Sequence, residues 1–313
     1  MNLEGLAFYL IGFLTMGGIY SVLAIALNMQ WGFGGLFNAG IAGFYAIGAY
    51  TAAILTSAGS ASHVGGFDLP IIAGLVCGGA LAGLVAWAMA RICVRLKADY
   101  LAMASIGIAE IIRLIVINED WLTNGSLGIA RIPRPFESMF SGREAEIVFV
   151  VFVWSIVLLT YLVSQRLWKS PWGRVMRAIR DNDVAADSVG KNVQQFRVEA
   201  FVVGSIFMAM AGALSAHYFK YFSPDATEPL LVTFLCWVML IAGGSGNNRG
   251  AIAGALIVWG IWSMTEIVTS HLPIEWASRS AYLRMLLIGL FLQIVLQRFR
   301  SGLIPERAPG LRD

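Results

Sequence analysis

Nine apolar runs follow one another along the 313 residues of this chain, and they constrain its fold more than any other feature. A helix needs about 20 mainly apolar residues to cross the hydrocarbon core of a bilayer. Since lipid offers no hydrogen bonds to a backbone, such runs predict membrane-spanning helices. The predicted spans lie at about 6–29, 36–56, 70–94, 99–117, 147–165, 197–219, 230–242, 250–269 and 281–297.

The composition excludes a soluble domain. Hydrophobic residues make up 58% of the chain and charged residues 13%, whereas soluble proteins carry about 25% charged residues. The start, Met1–Glu4, lacks the basic region of a cleavable signal, so we expect the first run to be a retained helix. These features predict an all-α, polytopic membrane helix bundle, folded as one transmembrane domain over residues 1–313.

The distribution of positive charge predicts the orientation. Of the 22 Lys and Arg residues, 15 fall on one set of connecting segments, six on the other set, and Arg113 lies inside a span. Cytoplasmic segments carry the excess of Lys and Arg. The split predicts an outer N-terminus and an inner C-terminus. Termini on opposite sides need an odd number of spans, so the nine predicted spans agree with this orientation. The seventh span, 230–242, is short and ends in glycines, so it could be partial or tilted.

Two polar loops are long enough to carry function. The outer loop, about 118–146, is rich in Gly and Pro, which suggests an ordered loop or a short re-entrant piece. The inner loop, about 166–197, is the largest cytoplasmic element. It contains seven of the 15 inner basic residues: Arg166, Lys169, Arg174, Arg177, Arg180, Lys191 and Arg197.

The pattern of the inner loop predicts two short helices. Ser170-Pro171 is a plausible helix start. Residues 181–183 offer capping side chains for a second helix, and Gly190 is placed to end it. The first helix has an apolar face made of Val175, Met176 and Ile179, and a basic face made of Arg174, Arg177 and Arg180.

Two functions suit this loop. It could dock on a partner protein, or it could lie on the lipid surface with its arginines at anionic headgroups. The stretch from Val184 to Gly190 favours docking, because small alanines followed by a glycine suit close packing into a cleft.

Glycine-rich stretches interrupt the apolar runs at 31–40, WGFGGLFNAG, and at 243–250, GGSGNNRG. Interrupted helices often expose backbone groups to a substrate, although a tight turn between packed helices is the simpler interpretation of the second stretch. The second stretch also lacks the preceding strand of a nucleotide-binding fingerprint. For the first, we predict a substrate path lined by Asn28, Asn38, Gly40 and Gly43.

Few groups suggest other chemistry. Glu110 and Arg113 stand three residues apart within one span and could pair on one helix face. The three histidines, His63, His217 and His271, show no metal-ligand spacing, and we find no catalytic set and no Walker A pattern. We therefore expect neither a metal site nor enzymatic activity on this chain.

Four segments resemble a known family. They are the stretch from Ile19 to Asn28 with Asn38 to Tyr50, the stretch from Arg95 to Leu114 with Leu122 to Ser126, SPWGRVMRAIRDNDVAADSVGKNV at 170–193, and GGSGNNRGAIAGA at 243–255. In this order they resemble the membrane subunits of branched-chain amino acid ABC importers, specifically the M-type partner of the H/M permease pair.

The resemblance implies partners and a role for the inner loop. Such a permease pairs with a second permease, two cytoplasmic ATPases that hold ATP and Mg, and a periplasmic binding protein, in a bacterial inner membrane. The inner loop would be the coupling helix. Ala185, Ala186 and Gly190 match its EAAxxxG core, while Val184 stands where that motif has Glu. The candidates for a charged ATPase contact are Arg174, Arg177, Arg180 and Asp183.

The substrate class stays open at this point. Related permeases move branched-chain amino acids, other amino acids, urea, short amides or aromatic acids. The residues around Asn38 differ from the pattern associated with amino acid members. Two rival functions are a self-contained secondary transporter or channel and an intramembrane enzyme.

Overall fold

The computed structural model describes residues 3–59, 63–135, 140, 142–269 and 274–306. Within these residues the regular secondary structure is helical except for two paired two-residue strands, which confirms the all-α expectation. The long helices are α1 (Leu3–Leu27), α2 (Ile41–Thr56), α3 (Ile71–Cys93), α4 (Ala98–Asn118), α6 (Arg143–Lys169), α9 (Val193–Phe219), α10 (Pro229–Gly243), α11 (Asn248–Thr269) and α12 (Ile274–Arg298). The short helices are α5 (Asp120–Thr123), α7 (Pro171–Asp181) and α8 (Asp183–Ser188), and the strands are β1 (Ile129–Ala130) and β2 (Tyr221–Phe222).

The long helices of the described residues correspond in order to the apolar runs. Six of these helical stretches are long and apolar enough to cross a membrane, by length and composition. The predicted start of the second span at 36 was wrong, because the helix begins at Ile41. Leu36 and Phe37 are apolar but belong to a segment without regular secondary structure, since Gly35 turns the backbone at a φ of +65°.

The connecting segments sort to two ends of the bundle, as alternating passes of the chain require. At one end, which we call the basic end, the 166–197 loop meets the glycine-rich stretch 243–247 and the 299–306 segment. At the opposite end β1 pairs antiparallel with β2, and the backbone N–H of Val64 donates to the carbonyl of Trp121. Arg307 and Arg312, which the charge count assigns to the inner side, lie outside the described residues.

The outer loop is ordered between Asp120 and Pro135. It contains α5, a 3₁₀ turn at Gly125–Leu127 and β1. Arg134 anchors its end, since its guanidinium donates to the Tyr218 carbonyl at 2.8 Å and lies 3.7 Å from a Glu146 oxygen.

Small residues allow the central helices to cross closely. A Cβ added at Gly48 of α2 would overlap the Ala209 carbonyl oxygen of α9, and one added at Gly212 of α9 would overlap the Tyr45 carbonyl oxygen of α2. On the other face of α2, Gly78 of α3 lies against Gly48, since a Cβ there would sit 3.2 Å from the Gly48 Cα. Three backbones therefore meet without intervening side chains, which is how membrane helices gain contact when no hydrophobic force drives them together.

We predict that Gly48→Ala destabilises the bundle although it adds one methyl group. The added carbon has no space between α2 and α9, and overpacking of this kind costs about 1–3 kcal/mol. Thermal unfolding in detergent measures the effect. The matched control is Gly107→Ala on the exposed face of α4, where no atom lies within 4 Å of the new Cβ. Equal transition temperatures for Gly48→Ala and the unsubstituted protein would contradict the close crossing.

Candidate functional site

The two glycine-rich breaks of the sequence lie against each other at the basic end. The Nδ2 group of Asn28 donates to Oδ1 of Asn248 at 2.9 Å, and the backbone N–H of Gly246 donates to Oδ1 of Asn28 at 2.7 Å. Asn28 is fully buried and Asn248 nearly so. Ser164 of α6 also donates to Oδ1 of Asn248, at 2.9 Å. One buried amide network thus joins α1, α6 and α11.

The first break starts with a π-helical turn. Residues Asn28–Gly32 continue α1 with the wider π geometry, which frequently occurs at functional sites. After the helical residues Phe33 and Gly34, the chain has no regular secondary structure from Gly35 to Gly40. Gln30 holds this segment in place. Its side-chain Nε2 group donates to the Phe201 carbonyl at 2.8 Å, and its backbone carbonyl accepts the N–H of Leu36 at 3.1 Å.

The predicted path residues Asn38, Gly40 and Gly43 are buried within this chain. Asn38 donates to Oε1 of Gln30 and accepts the N–H of Gly40, both at 2.8 Å. Gly40 and Gly43 lie against α4. A Cβ added at Gly40 would sit 2.5 Å from the Ser105 carbonyl oxygen, and one added at Gly43 would sit 2.9 Å from the Ala109 Cα. The structure therefore places these residues together, as a packed seam between α2 and α4 with no exposed surface.

Two other side chains complete the seam. The indole N–H of Trp237 donates to the Asn38 carbonyl at 3.1 Å, and the hydroxyl of Ser105 accepts the N–H of Ala39 at 2.9 Å. These backbone groups, which the break removes from a helix, thereby gain buried polar partners, as a site inside a membrane requires.

Glu110 and Arg113 form a two-pronged ion pair on α4. The guanidinium Nε lies 2.8 Å from Oε2 of Glu110, and Nη2 lies 2.5 Å from Oε1. The side chains are 40% and 32% exposed, so the pair lies on the outer face of the bundle. Its geometry neutralises both charges locally and brings neither group into the buried amide network.

The inner loop folds as its capping residues predict. Ser170 caps α7 by accepting the N–H of Gly173 at 3.4 Å, and Asn182 caps α8 by accepting the N–H of Ala185 at 3.0 Å. Gly190 follows α8 at a φ of +79°. Met176 and Ile179, on the predicted apolar face of α7, are fully buried.

The predicted basic face of α7 is largely absent, because two of its three arginines fold onto the chain. Arg177 lies over the Trp168 ring at 4.2 Å and donates to the Trp168 carbonyl at 3.3 Å. Burial lowers the pKa of Arg177, and the nearby Glu306 opposes that shift. Arg174 alone of the three is exposed. Asp183 is also engaged, with Arg197 at 3.0 Å.

Arg180 connects α7 to both breaks. Its Nη1 group donates to the carbonyl of Gly32 at the end of the π turn and lies 3.0 Å from Oε2 of Glu306. Its Nη2 group donates to Oε1 of the same carboxylate at 3.3 Å. Arg180 therefore satisfies a carbonyl that the π turn leaves without a helical partner.

The 299–306 segment places Glu306 beside Arg180. The N–H groups of Leu303 and Ile304 donate to the carbonyls of Ala242 and Gly243, both at 2.9 Å, at the end of α10. The Asn247 side chain donates to the Pro305 carbonyl at 3.0 Å. The segment thus closes the carbonyl end of α10 and covers the second glycine break.

The exposed surface of α8 and the residue after it combines apolar side chains with Asp187 and Ser188. Val184 is 75% exposed and Val189 is 72% exposed. Ala185 is exposed between them, whereas Ala186 is buried against the loop. These two exposed β-branched side chains, one on α8 and one directly after it, contribute little to the packing of this chain.

Sequence reasoning missed several residues of the site. Gln30, Ser105, Asn248 and Glu306 received no role, although Gln30 lies two residues from Asn28 and Asn248 lies in the second break. A polar amide beside a glycine break within an apolar run is a signal that could have identified Gln30 and Asn248. In the part of the chain that the structure describes, no three His, Cys, Asp or Glu side chains come close enough to hold a metal ion.

Comparisons with known proteins place the chain among transport proteins. The sequence profile of the family described as "Branched-chain amino acid transport system / permease component" matches residues 9–296. The high-affinity branched-chain amino acid transport system permease protein LivM of Escherichia coli K12 is 28% identical, over 95% of this chain and 70% of its own length.

Two further relatives extend this similarity. A probable branched-chain amino acid transport permease protein LivM of Methanocaldococcus jannaschii is 26% identical, over 93% of this chain and 91% of its own length. The permease protein LivH of Escherichia coli K12 is 23% identical, over 78% of this chain and 80% of its own length.

We predict that Asn28→Leu destabilises the junction of the two breaks. The similar shape of Leu fills the site but leaves the buried N–H of Gly246 without an acceptor, and such a loss costs about 1–3 kcal/mol per group. Thermal unfolding in detergent measures it. Asn118→Leu is the matched control, because the exposed Asn118 amide bonds only to Leu114 in its own helix. If both variants unfold at the same temperature, the amide network does not stabilise the breaks.

Proposed function

The chain belongs to the family of permease components of branched-chain amino acid transport systems, and from this membership we propose that it forms, with a sister permease, the path by which branched-chain amino acids cross a bacterial inner membrane. The predicted resemblance to the M-type permease is confirmed by the similarity to the LivM proteins. The chain is a multi-pass membrane subunit of an ABC transporter, and it is not itself an enzyme.

In this proposal two cytoplasmic ATPases hold ATP and Mg and dock on α7 and α8, and a periplasmic binding protein delivers the substrate at the opposite end. The exposed pair Val184 and Val189 carries the docking assignment. Contiguous exposed apolar patches rimmed by polar residues mark contacts with another protein, and Val184 and Val189 lie close in sequence with Asp187 and Ser188 exposed between them. The small Ala185 between the two valines and the turn at Gly190 allow a partner surface to approach the backbone of α8 closely.

The contacts of α7 support a route by which ATPase motion reaches the translocation path. Met176 of α7 packs against Gly34, where an added Cβ would overlap its methyl group, and Arg180 holds the Gly32 carbonyl. A shift of α7 would therefore move the end of the π turn. Arg177 and Arg180 would act as mechanical links within the permease, and Arg174 is the exposed basic residue of α7 that could meet the ATPase.

The π turn, which begins at Asn28, supports the packed seam of Asn38, Gly40 and Gly43 through Gln30. In the structure these residues are closed off from any surface. We propose that rearrangement of the turn opens the seam towards the path, since rewinding the π turn to α geometry would shift the position of the Gly35–Gly40 segment that follows it. The amides of Asn28 and Asn38 would then meet the polar groups of the substrate.

A secondary transporter is less well supported. Proton-coupled carriers use carboxylates inside the membrane, whereas no Asp or Glu is fully buried among the residues whose side chains the structure describes. Glu110, which lies within a span, is paired with Arg113.

We predict that the complex, reconstituted with its sister permease, ATPases and binding protein, takes up labelled leucine, isoleucine and valine in the presence of ATP. Urea, a short amide and an aromatic acid, tested in parallel, should not accumulate. Uptake of urea or the amide without uptake of leucine would show that the substrates are not branched-chain amino acids. ATP-independent uptake by the chain alone would overturn the assignment as an importer subunit.

We predict that Val184→Asp lowers co-purification of the ATPase subunits by about tenfold or more, because docking would bury an unpaired carboxylate. The substitution leaves the fold intact, since Val184 makes little contact within the chain. Leu127→Asp is the control, with an equally exposed apolar side chain at the opposite end. Full ATPase recovery with Val184→Asp would show that the ATPases bind elsewhere.

A further inference from the structure

A groove opens between α3 and α9 where the two helices separate near the basic end. The helices touch at Gly83, where an added Cβ would sit 3.0 Å from a side-chain carbon of Ile206. Beyond this contact larger side chains hold the helices apart and leave a cavity of about 630 Å³. Its walls include Trp87, Arg91, Arg95, Val198, Val202 and Val203.

The groove is polar at one end and apolar at the other, as an amphiphilic lipid is. Its lining includes Asn192 and Gln194 at the start of α9, which we call the mouth, and Val202 and Val203 about two to three turns further along the helix. The adjoining face of α3 is apolar and open, as Leu84 is 63% exposed. In a helix that spans the membrane such a face contacts lipid chains. The groove therefore opens laterally to the lipid tails, and its polar end opens to the cytoplasmic surface of the bilayer.

Two arginines at the mouth have no acidic partner. Arg91 lies over the Trp87 ring at 5.0 Å. Among the described residues, no carboxylate lies within 4.0 Å of the guanidinium of Arg91 or Arg95. Glu199 also lines the groove, but its two oxygens accept the Trp172 indole N–H at 2.8 Å and the Gln195 amide at 3.0 Å. The mouth therefore keeps an excess of positive charge.

We propose that this groove binds one anionic phospholipid, with its phosphate between Arg91 and Arg95 and an acyl chain along Val198, Val202 and Val203. Basic pockets between transmembrane helices on the cytoplasmic side bind anionic headgroups, because the charge pairs with the phosphate while the chains stay in an apolar channel. Trp87, 46% exposed at the same level, suits the interface where its indole contacts both regions.

The test uses the whole transporter complex, purified with its sister permease and ATPases. The complex is delipidated and offered equal amounts of phosphatidylglycerol and phosphatidylcholine, and native mass spectrometry counts the lipid retained. We expect preferential retention of phosphatidylglycerol, weakened about tenfold or more in Arg91→Gln/Arg95→Gln. Arg298→Gln/Arg300→Gln, which removes two exposed arginines from the same end of the bundle, should retain the lipid as the unsubstituted complex does.

A second measurement locates the lipid. Brominated phosphatidylglycerol should quench more tryptophan fluorescence than brominated phosphatidylcholine, and Trp87→Phe should remove that difference. Equal retention by the Arg91/Arg95 variant, or quenching unaffected by Trp87→Phe, would overturn the proposal. Displacement of the lipid by millimolar inorganic phosphate would identify a soluble-anion site instead. A covalent crosslink to the sister permease from a thiol-reactive photocrosslinker attached at Val202→Cys would show that a protein helix fills the groove.

Discussion

Every backbone N–H and C=O inside the hydrocarbon region needs a partner within the protein, and this requirement shapes the centre of the molecule. The chain breaks its helices at two places, and at both places side-chain amides supply missing partners. An amide can donate and accept at once, so Asn28 serves both Gly246 and Asn248, and Asn38 serves both Gln30 and Gly40. The breaks are consequently ordered and buried, and the close crossing of α2 over α9 can follow directly after one of them.

Features governed by local rules could be predicted from the sequence. The apolar runs predicted the order of the long helices, and the caps Ser170 and Asn182 and the terminating Gly190 follow from side-chain chemistry within a few residues. Features governed by partners that are distant in the sequence could not be predicted from it. Asn28 and Asn248 are 220 residues apart, and no local pattern pairs them. The start of α2 was misplaced for a related reason, since the apolar Leu36 and Phe37 conceal a turn set by Gly35.

The inner loop shows why a charge pattern alone misidentifies a surface. Three arginines at three-residue spacing predict one basic face, yet a carbonyl released by the π turn and the ring of Trp168 compete for two of them. The side of the loop left for a partner is centred on α8, where the exposed Val184 and Val189 lie among exposed polar residues. Val184 stands where the related motif has Glu, so the proposed ATPase contact in this permease would depend on shape and apolar area more than on an ion pair.

The pairing of Arg180 with Glu306 spans 126 residues of sequence and closes over both helix breaks. Arg180 can reach its carboxylate only after α10, α11 and α12 have been synthesised and inserted. Until then the Gly32 carbonyl, the guanidinium and the exposed end of α10 lack part of their final surroundings. Assembly of the basic end is therefore a late event in biogenesis, and the surface proposed to receive the ATPases takes its final form only once the membrane bundle beneath it is complete.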